Sequence, residues 1–213
     1  MYTESGELRG DTVPRIFTRP LRELTPETSL GFEAIATATE DLGRNLHPWQ
    51  EWVLIHSLEL APGSYTSDPA PILRFETVLV LVARQNGKSF LASTRMLWRM
   101  LMWDPPEGEP PLVLGTAHKL AAAEEIQEQA YKAIARSPAA DQVARMTGTN
   151  GSKTLELING ARYRCDAASD DGGRSFSVTD LFFDELRQQK EWSPWMALTN
   201  TTNAKFSSQV FAV

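Results

Sequence analysis

Two short stretches of this sequence hold residue types whose order could do chemistry: Gly87-Lys88-Ser89 and Asp184-Glu185. The first follows a greasy run, Phe75 to Val82, and precedes apolar residues Leu91, Leu97, Trp98 and Leu101 at three-to-four spacing. That pattern predicts a buried strand, a polar loop and an amphipathic helix. Backbone N–H groups at a helix start have no intrahelical partner and sit at the positive end of the helix dipole, so such a loop can cradle phosphate. Gly87 lets the backbone approach closely, Lys88 would reach the β/γ-phosphates, and Ser89 would give its hydroxyl to Mg²⁺. Only the second half of the GxxxxGK[ST] pattern is present, because Val82 occupies the place of the first glycine. A helix start with a solvated lysine is the plain alternative.

The second stretch, "LFFDE", runs apolar residues straight into two carboxylates. Charges at the end of a hydrophobic strand need partners or solvent. With the loop far upstream they acquire work. Asp184 would hold the Mg²⁺ that Ser89 also touches, and Glu185 would orient and activate an attacking water. Asp184 as the N-cap of a following helix is the structural alternative.

The elements that must position these residues alternate in the sequence. Strands are expected at Phe75 to Val82, Leu112 to Thr116, Val178 to Phe183 and "SSQVFAV"; helices at Lys88 to Trp103 and about Lys119 to Arg136. "TLELING" and "ARYRCDAA" join through Asn159-Gly160, a hairpin-turn signal. "LHPWQEWVLIHSLEL" reads as a helix with Pro48 in its first turn. Residues 1–29 hold Pro14, Pro20 and Pro26 with little periodicity and are expected to form an arm that is irregular or only locally helical, with one domain over 30–213. Alternation of this kind predicts an α/β fold with a mainly parallel sheet flanked by helices. Ligands in such sheets bind at the carboxyl ends of strands, where both stretches lie.

Composition narrows the classes. The chain has 213 residues, 42% of them hydrophobic, and a net charge of -6. No apolar run reaches the ~18 residues of a membrane span, and MYTESGELRG lacks the form of an export signal, so a protein without membrane association is expected. One cysteine, Cys165, excludes an internal disulfide, and three histidines without a second cysteine disfavour a zinc site. The acidic balance is unlike that of a free-standing DNA-binding module. The most basic segment, with Arg145, Lys153, Arg162 and Arg164 against Glu156 and Asp166, reads as the solvated face of a hairpin.

Taken together, these features resemble the ATPase domain of tailed-phage large terminases, the motors that pump double-stranded DNA into a procapsid. The resemblance runs from about Leu42 to Val213 and rests on "ARQNGKS", "LFFDE", "LHPWQ" and "TAHKLAAAEEIQEQAYKAI". It implies an additional-strand P-loop NTPase fold and Mg²⁺-dependent ATP hydrolysis. Arg84, Gln85, Asn86, Gly87, Lys88 and Ser89 would form the phosphate loop, with Arg84 at the γ-phosphate. Gln50 would read the adenine edge. Ser89 and Asp184 would hold the metal, and Glu185 would be the catalytic base. Arg174, in "DDGGRSFS", matches the place of an arginine that a neighbouring subunit inserts, a contribution of roughly 10³ to 10⁵ in rate where it operates. Implied partners are double-stranded DNA, a portal protein, a small terminase subunit and further copies in a homo-oligomeric ring, a pentamer, with a monomer in isolation; the implied place is the host cytoplasm. Large terminases continue into a nuclease domain, which this sequence does not contain, so no nuclease activity is expected of it. A helicase-like P-loop ATPase and a nucleotide-binding assembly module without hydrolysis remain open alternatives.

Overall fold

The computed structural model describes residues 11–83, 85–148, 153–167, 177–188 and 191–213. In chain order the elements are α1 (Gly31–Glu40), α2 (Pro48–Ser57), β1 (Thr77–Leu79), α3 (Lys88–Met102), β2 (Leu112–Ala117), α4 (Leu120–Ile134), β3 (Val143–Thr147), β4 (Thr154–Leu157), β5 (Arg162–Ala167), β6 (Asp180–Asp184), α5 (Ser193–Thr199) and β7 (Gln209–Ala212). Seven strands form one sheet in the order β1-β7-β6-β2-β5-β4-β3. Pairing is parallel from β1 through β5. It turns antiparallel at β5-β4-β3, where the hairpin predicted at Asn159-Gly160 forms with Gly160 at φ 85.

Side-chain alternation divides the core between the two faces of the sheet. Val113, Phe182 and Phe211 point into the larger cluster, with Leu91, Met96, Leu97 and Trp98 of α3 and Ile126 and Ala130 of α4. Their strand neighbours Leu112, Leu114, Leu181, Phe183, Val210 and Ala212 form a second cluster with Leu198 of α5. A period of two along β2, β6 and β7 therefore supplies both layers, as expected for strands buried on both faces. The α1-α2 pair packs closely, because Gly31 has no Cβ: one placed there would lie 2.4 Å from the Ile55 backbone.

Several sequence expectations change. The run Phe75 to Val82 contributes only the short β1, and it is an edge strand rather than a buried one, with Leu79 53% and Leu81 83% exposed. The apolar run signals a strand but not its place in the sheet, which is decided by which strand arrives beside it. β3 has no counterpart among the expected strands, since "VARMT" is too short and too polar to show a period. The basic face of the hairpin is largely paired: Arg145 with Glu156 at 2.7 Å and Lys153 with Glu124 at 3.3 Å. Trp195 packs at 5.4 Å from the Phe183 ring, whereas Trp192 is exposed. Residues 11–30 contain no helix, and Phe17 sets its ring edge against Trp52 at 5.1 Å. Cys165 is partly buried in β5, and burial together with the charge of Glu124 pushes its thiol pKa far above the ordinary range. Among the described residues no helix is long and apolar enough to cross a membrane.

Candidate nucleotide site

The loop that enters α3 is built by backbone conformation. Gln85 and Gly87 both have positive φ, 62° and 82°, which turns successive peptide planes and brings the chain sharply to the first residue of the helix, Lys88. Gly87 carries no strain there. Its N-cap carbonyl accepts the first helical bond, from Leu91 N at 3.1 Å. Lys88 and Ser89 occupy the first turn, both half-buried, where the free N–H groups and the helix dipole favour an anion. Asn86 braces the loop by donating from Nδ2 to the Ala83 carbonyl at 3.1 Å.

Gln50 is fully buried and ties this loop to α2. Its Oε1 accepts from His47 N at 2.8 Å, closing the first turn of α2, and its Nε2 donates to the Gly87 carbonyl at 3.0 Å. A Cβ at position 87 would lie 2.9 Å from that same Nε2. The amide expected to read a base thus already has a partner at each end, and one N–H of Nε2 and one lone pair of Oε1 are what it has left to offer. Beside it opens a cavity of about 850 Å³, walled by Gln85, Asn86 and Gly87 of the loop, His47 and Gln50 of α2, and Phe90. Phe90 reads in the sequence as one more apolar residue of the helix, with no signal of a place at the site. Arg44 lies over its ring at 3.8 Å and donates to Ser93 Oγ at 2.9 Å, so the ring is held in place from behind.

The carboxylates stand where β6 ends. Alternation along β6 places Asp184 on the same face as Phe182, which is the α3 side. Glu185 leaves the strand at φ 54, a left-handed conformation rare for a non-glycine residue, and its N–H is held by Asp184 Oδ1 at 3.0 Å. The Asp184 pKa is raised, chiefly by burial and further by the charge of Glu185, while the Glu185 N–H and the Lys88 ammonium act against the rise. Lys88 and Asp184 are therefore within electrostatic reach of each other, as a shared phosphate and metal site requires.

No family model matches the sequence, and no curated protein does. Solved structures do. The bacteriophage HK97 large terminase superposes with a TM-score of 0.66 at 18% identity, over 86% of this chain and 37% of that one. The chain has the fold of a phage large-terminase ATPase domain. The large terminase ATPase domain of Thermus phage P74-26 matches with a TM-score of 0.53 at 14% identity, over 80% of this chain and 66% of its own. The large terminase of a further, thermophilic bacteriophage matches at 0.52 and 10% identity, over 88% of this chain and 39% of that one. This chain spans 37% and 39% of the two large terminases and 66% of the ATPase-domain chain.

Within the terminase fold, the structure brings together Gln50, Gln85, Asn86 and Gly87 around one cavity, with Lys88, Ser89, Asp184 and Glu185 at the adjoining ends of α3 and β6. Arg84 and Arg174 lie outside the described residues. The donor set suits a divalent cation shared with phosphates. A hydroxyl and carboxylates are hard oxygen donors, and among the described residues no group of three His, Cys, Asp or Glu forms a closed metal cage.

A stability test follows from the Asp184 environment. A carboxyl whose folded pKa lies above its unfolded one destabilises the fold when ionised. That penalty is absent below the unfolded pKa and fully present once pH exceeds the folded pKa. Asp184→Asn, without nucleotide, should therefore melt higher than wild type at pH 7, and the gap should close as the pH falls through the raised pKa. A melting-temperature series by circular dichroism reads this directly; a gap independent of pH would mean that ionisation of Asp184 is not its source.

Proposed function

We propose that this chain is the ATP-hydrolysing motor domain of a viral DNA-packaging terminase large subunit, powering movement of double-stranded DNA into a procapsid. The observation that carries the reading is the convergence of the positive-φ loop ending at Lys88 with Asp184 and Glu185 at the carboxyl end of β6, close enough for Lys88 to act on the Asp184 carboxyl. The terminase fold around that pair supports it.

Each residue then has a role. The loop N–H groups from Gln85 to Ser89 hold the phosphates, and Lys88 neutralises charge on the β/γ oxygens. Ser89 and Asp184 would hold Mg²⁺, which would supply positive charge against the phosphates. Glu185 orients a water and accepts its proton. Its left-handed backbone turns the chain out of the strand at that residue. The cavity beside Phe90 takes the base, with the ring as an apolar wall and the spare Gln50 N–H as a donor. Arg84 contacts the γ-phosphate, and Arg174 serves the pocket of a neighbouring subunit. In this reading 1–29 is an N-terminal arm and 30–213 the ATPase domain, with Leu21 and Ser29 of the arm hydrogen-bonded to Glu59 and Ile55 of the domain. A portal protein, a small terminase subunit, DNA and a pentameric ring in the host cytoplasm complete the assignment, with the free chain a monomer.

Phosphate release from ATP tests the enzyme and the ring together. Specific activity should be Mg²⁺-dependent and rise with protein concentration, as neighbouring subunits meet. Arg174→Ala supplies a sound pocket without the inserted arginine; Lys88→Ala supplies the arginine with a dead pocket. The two inactive proteins should recover activity when mixed. No hydrolysis by wild type at any concentration would leave a nucleotide-binding module in its place. Activity without concentration dependence would remove the inserted arginine.

A further inference from the structure

Helix α3 buries two arginines, Arg95 and Arg99, with no exposed surface, although a helix against a sheet has no need of them for packing. They share one carboxylate, that of Asp180 at the start of β6. Arg95 Nη2 donates to Asp180 Oδ1 at 2.8 Å, and Arg99 Nε pairs with Asp180 Oδ2 at 2.5 Å. Arg95 Nη2 also donates to Gln209 Oε1 at 2.7 Å, and Arg99 Nη2 to the Ser207 carbonyl at 2.5 Å. The guanidinium of Arg99 lies 3.9 Å from the centre of the Trp103 ring, and that of Arg95 5.0 Å from Phe211. Gln209 Nε2 completes the set by donating to the carbonyls of Ser57 and Phe75, at 3.0 and 2.7 Å.

One buried cluster therefore touches the end of α2, the segment leading into β1, α3, β6 and β7. Each of the first four carries or leads into a residue of the proposed nucleotide site: Gln50, the loop, Ser89 and Asp184. Stability does not explain it. Two guanidiniums facing one carboxylate leave a positive charge in the interior, and burial pushes the Arg99 pKa down to about 10, with Asp180 and Glu107 acting against the fall and Arg95 adding to it. Replacing buried ion clusters with apolar side chains of similar size is often neutral or stabilising. What the cluster supplies that apolar packing would not is direction, since fork-shaped donors fix both distance and angle.

We infer that Arg95, Arg99, Asp180 and Gln209 are positioning residues that set the first turn of α3 against the carboxyl end of β6, and so the spacing of Ser89 and Asp184 toward a shared divalent cation. Arg95 lies about 9 Å along the helix from Ser89, and Asp180 about 13 Å along the strand from Asp184. The cluster and the site are two ends of the same pair of rigid elements, and alternation puts Asp180 and Asp184 on one face of β6. The inference rests on the ATPase reading given above.

The test uses the whole chain with a non-hydrolysable ATP analogue and Mg²⁺. In a charge-free variant, Arg95→Met with Arg99→Met and Asp180→Leu, the melting temperature without nucleotide should stay near wild type. The Mg²⁺ concentration giving half of the analogue-induced thermal stabilisation should rise roughly 10-fold, the scale at which groups behind metal ligands act. The half-saturating Mg²⁺ for hydrolysis should rise with it. A purely structural role would lower the folded fraction and hence the amplitude, but not move either midpoint. Arg99→Lys keeps the charge and loses the fork, and it serves should the triple variant fail to fold; its midpoints should rise in the same direction. Wild-type midpoints in whichever of these variants folds would overturn the inference alone. A wild-type protein with no Mg²⁺-dependent response to the analogue would overturn the ATPase reading, and this inference with it.

Discussion

Lys88→Ala should abolish ATP hydrolysis and weaken nucleotide binding by roughly 10- to 150-fold, the range that corresponds to losing about 1.5–3 kcal/mol of hydrogen bonding to a charged group. The residue opens α3, half-buried and within electrostatic reach of Asp184, so in the proposed site its removal would delete a compact cation from the phosphates and leave the helix N–H groups and dipole behind. Some binding should persist for that reason. The fold should not suffer, because alanine is a good helix former and the cores involve none of the lysine's stem. Equilibrium binding of a fluorescent ATP analogue, with phosphate release measured in parallel, gives both numbers. Unchanged turnover would remove the phosphate loop from the chemistry.

Glu185→Gln is expected to separate what Lys88→Ala loses together. Glutamine retains size and hydrogen bonding but cannot accept the proton of a water, so ATP should bind nearly as in wild type while turnover falls by roughly 10² to 10⁴. The backbone makes this a clean comparison. Position 185 holds φ 54 with either side chain, and its N–H remains bonded to Asp184 Oδ1, so the geometry that feeds into the next turn is preserved. Single-turnover hydrolysis alongside binding distinguishes the roles: equal losses in both would make Glu185 a metal ligand or a structural residue.

The site is legible in the sequence to the extent that it is written in consecutive residues. Gly87-Lys88-Ser89 and Asp184-Glu185 announce themselves because each interrupts an apolar pattern at the junction of two elements, and the structure sets Lys88 within electrostatic reach of Asp184. What cannot be read depends on partners distant along the chain. Gln50 has the pattern of a residue free to meet a base; its burial against Gly87 emerges only once α2 lies beside the loop. Leu79 and Leu81 have the pattern of core, and they are exposed because β1 has β7 on one side and no strand on the other among the described residues. Arg95 and Arg99 interrupt an apolar helix one turn apart, which resembles an ordinary solvated stripe. Asp180, the carboxylate that keeps them inside, sits far away in the sequence.

Cys165 gives the molecule a practical property. It is the only cysteine in the sequence, and burial beside Glu124 holds its thiol so far from ionisation that almost no thiolate exists at neutral pH. Maleimide dyes react with thiolates, so the native protein should be nearly inert to them without any mutation. A cysteine introduced on an exposed position, such as Met196 of α5, would then be the single site of labelling. A pair of such sites, one there and one on the arm at Ile16, would report changes in their separation by fluorescence transfer on an otherwise unaltered chain.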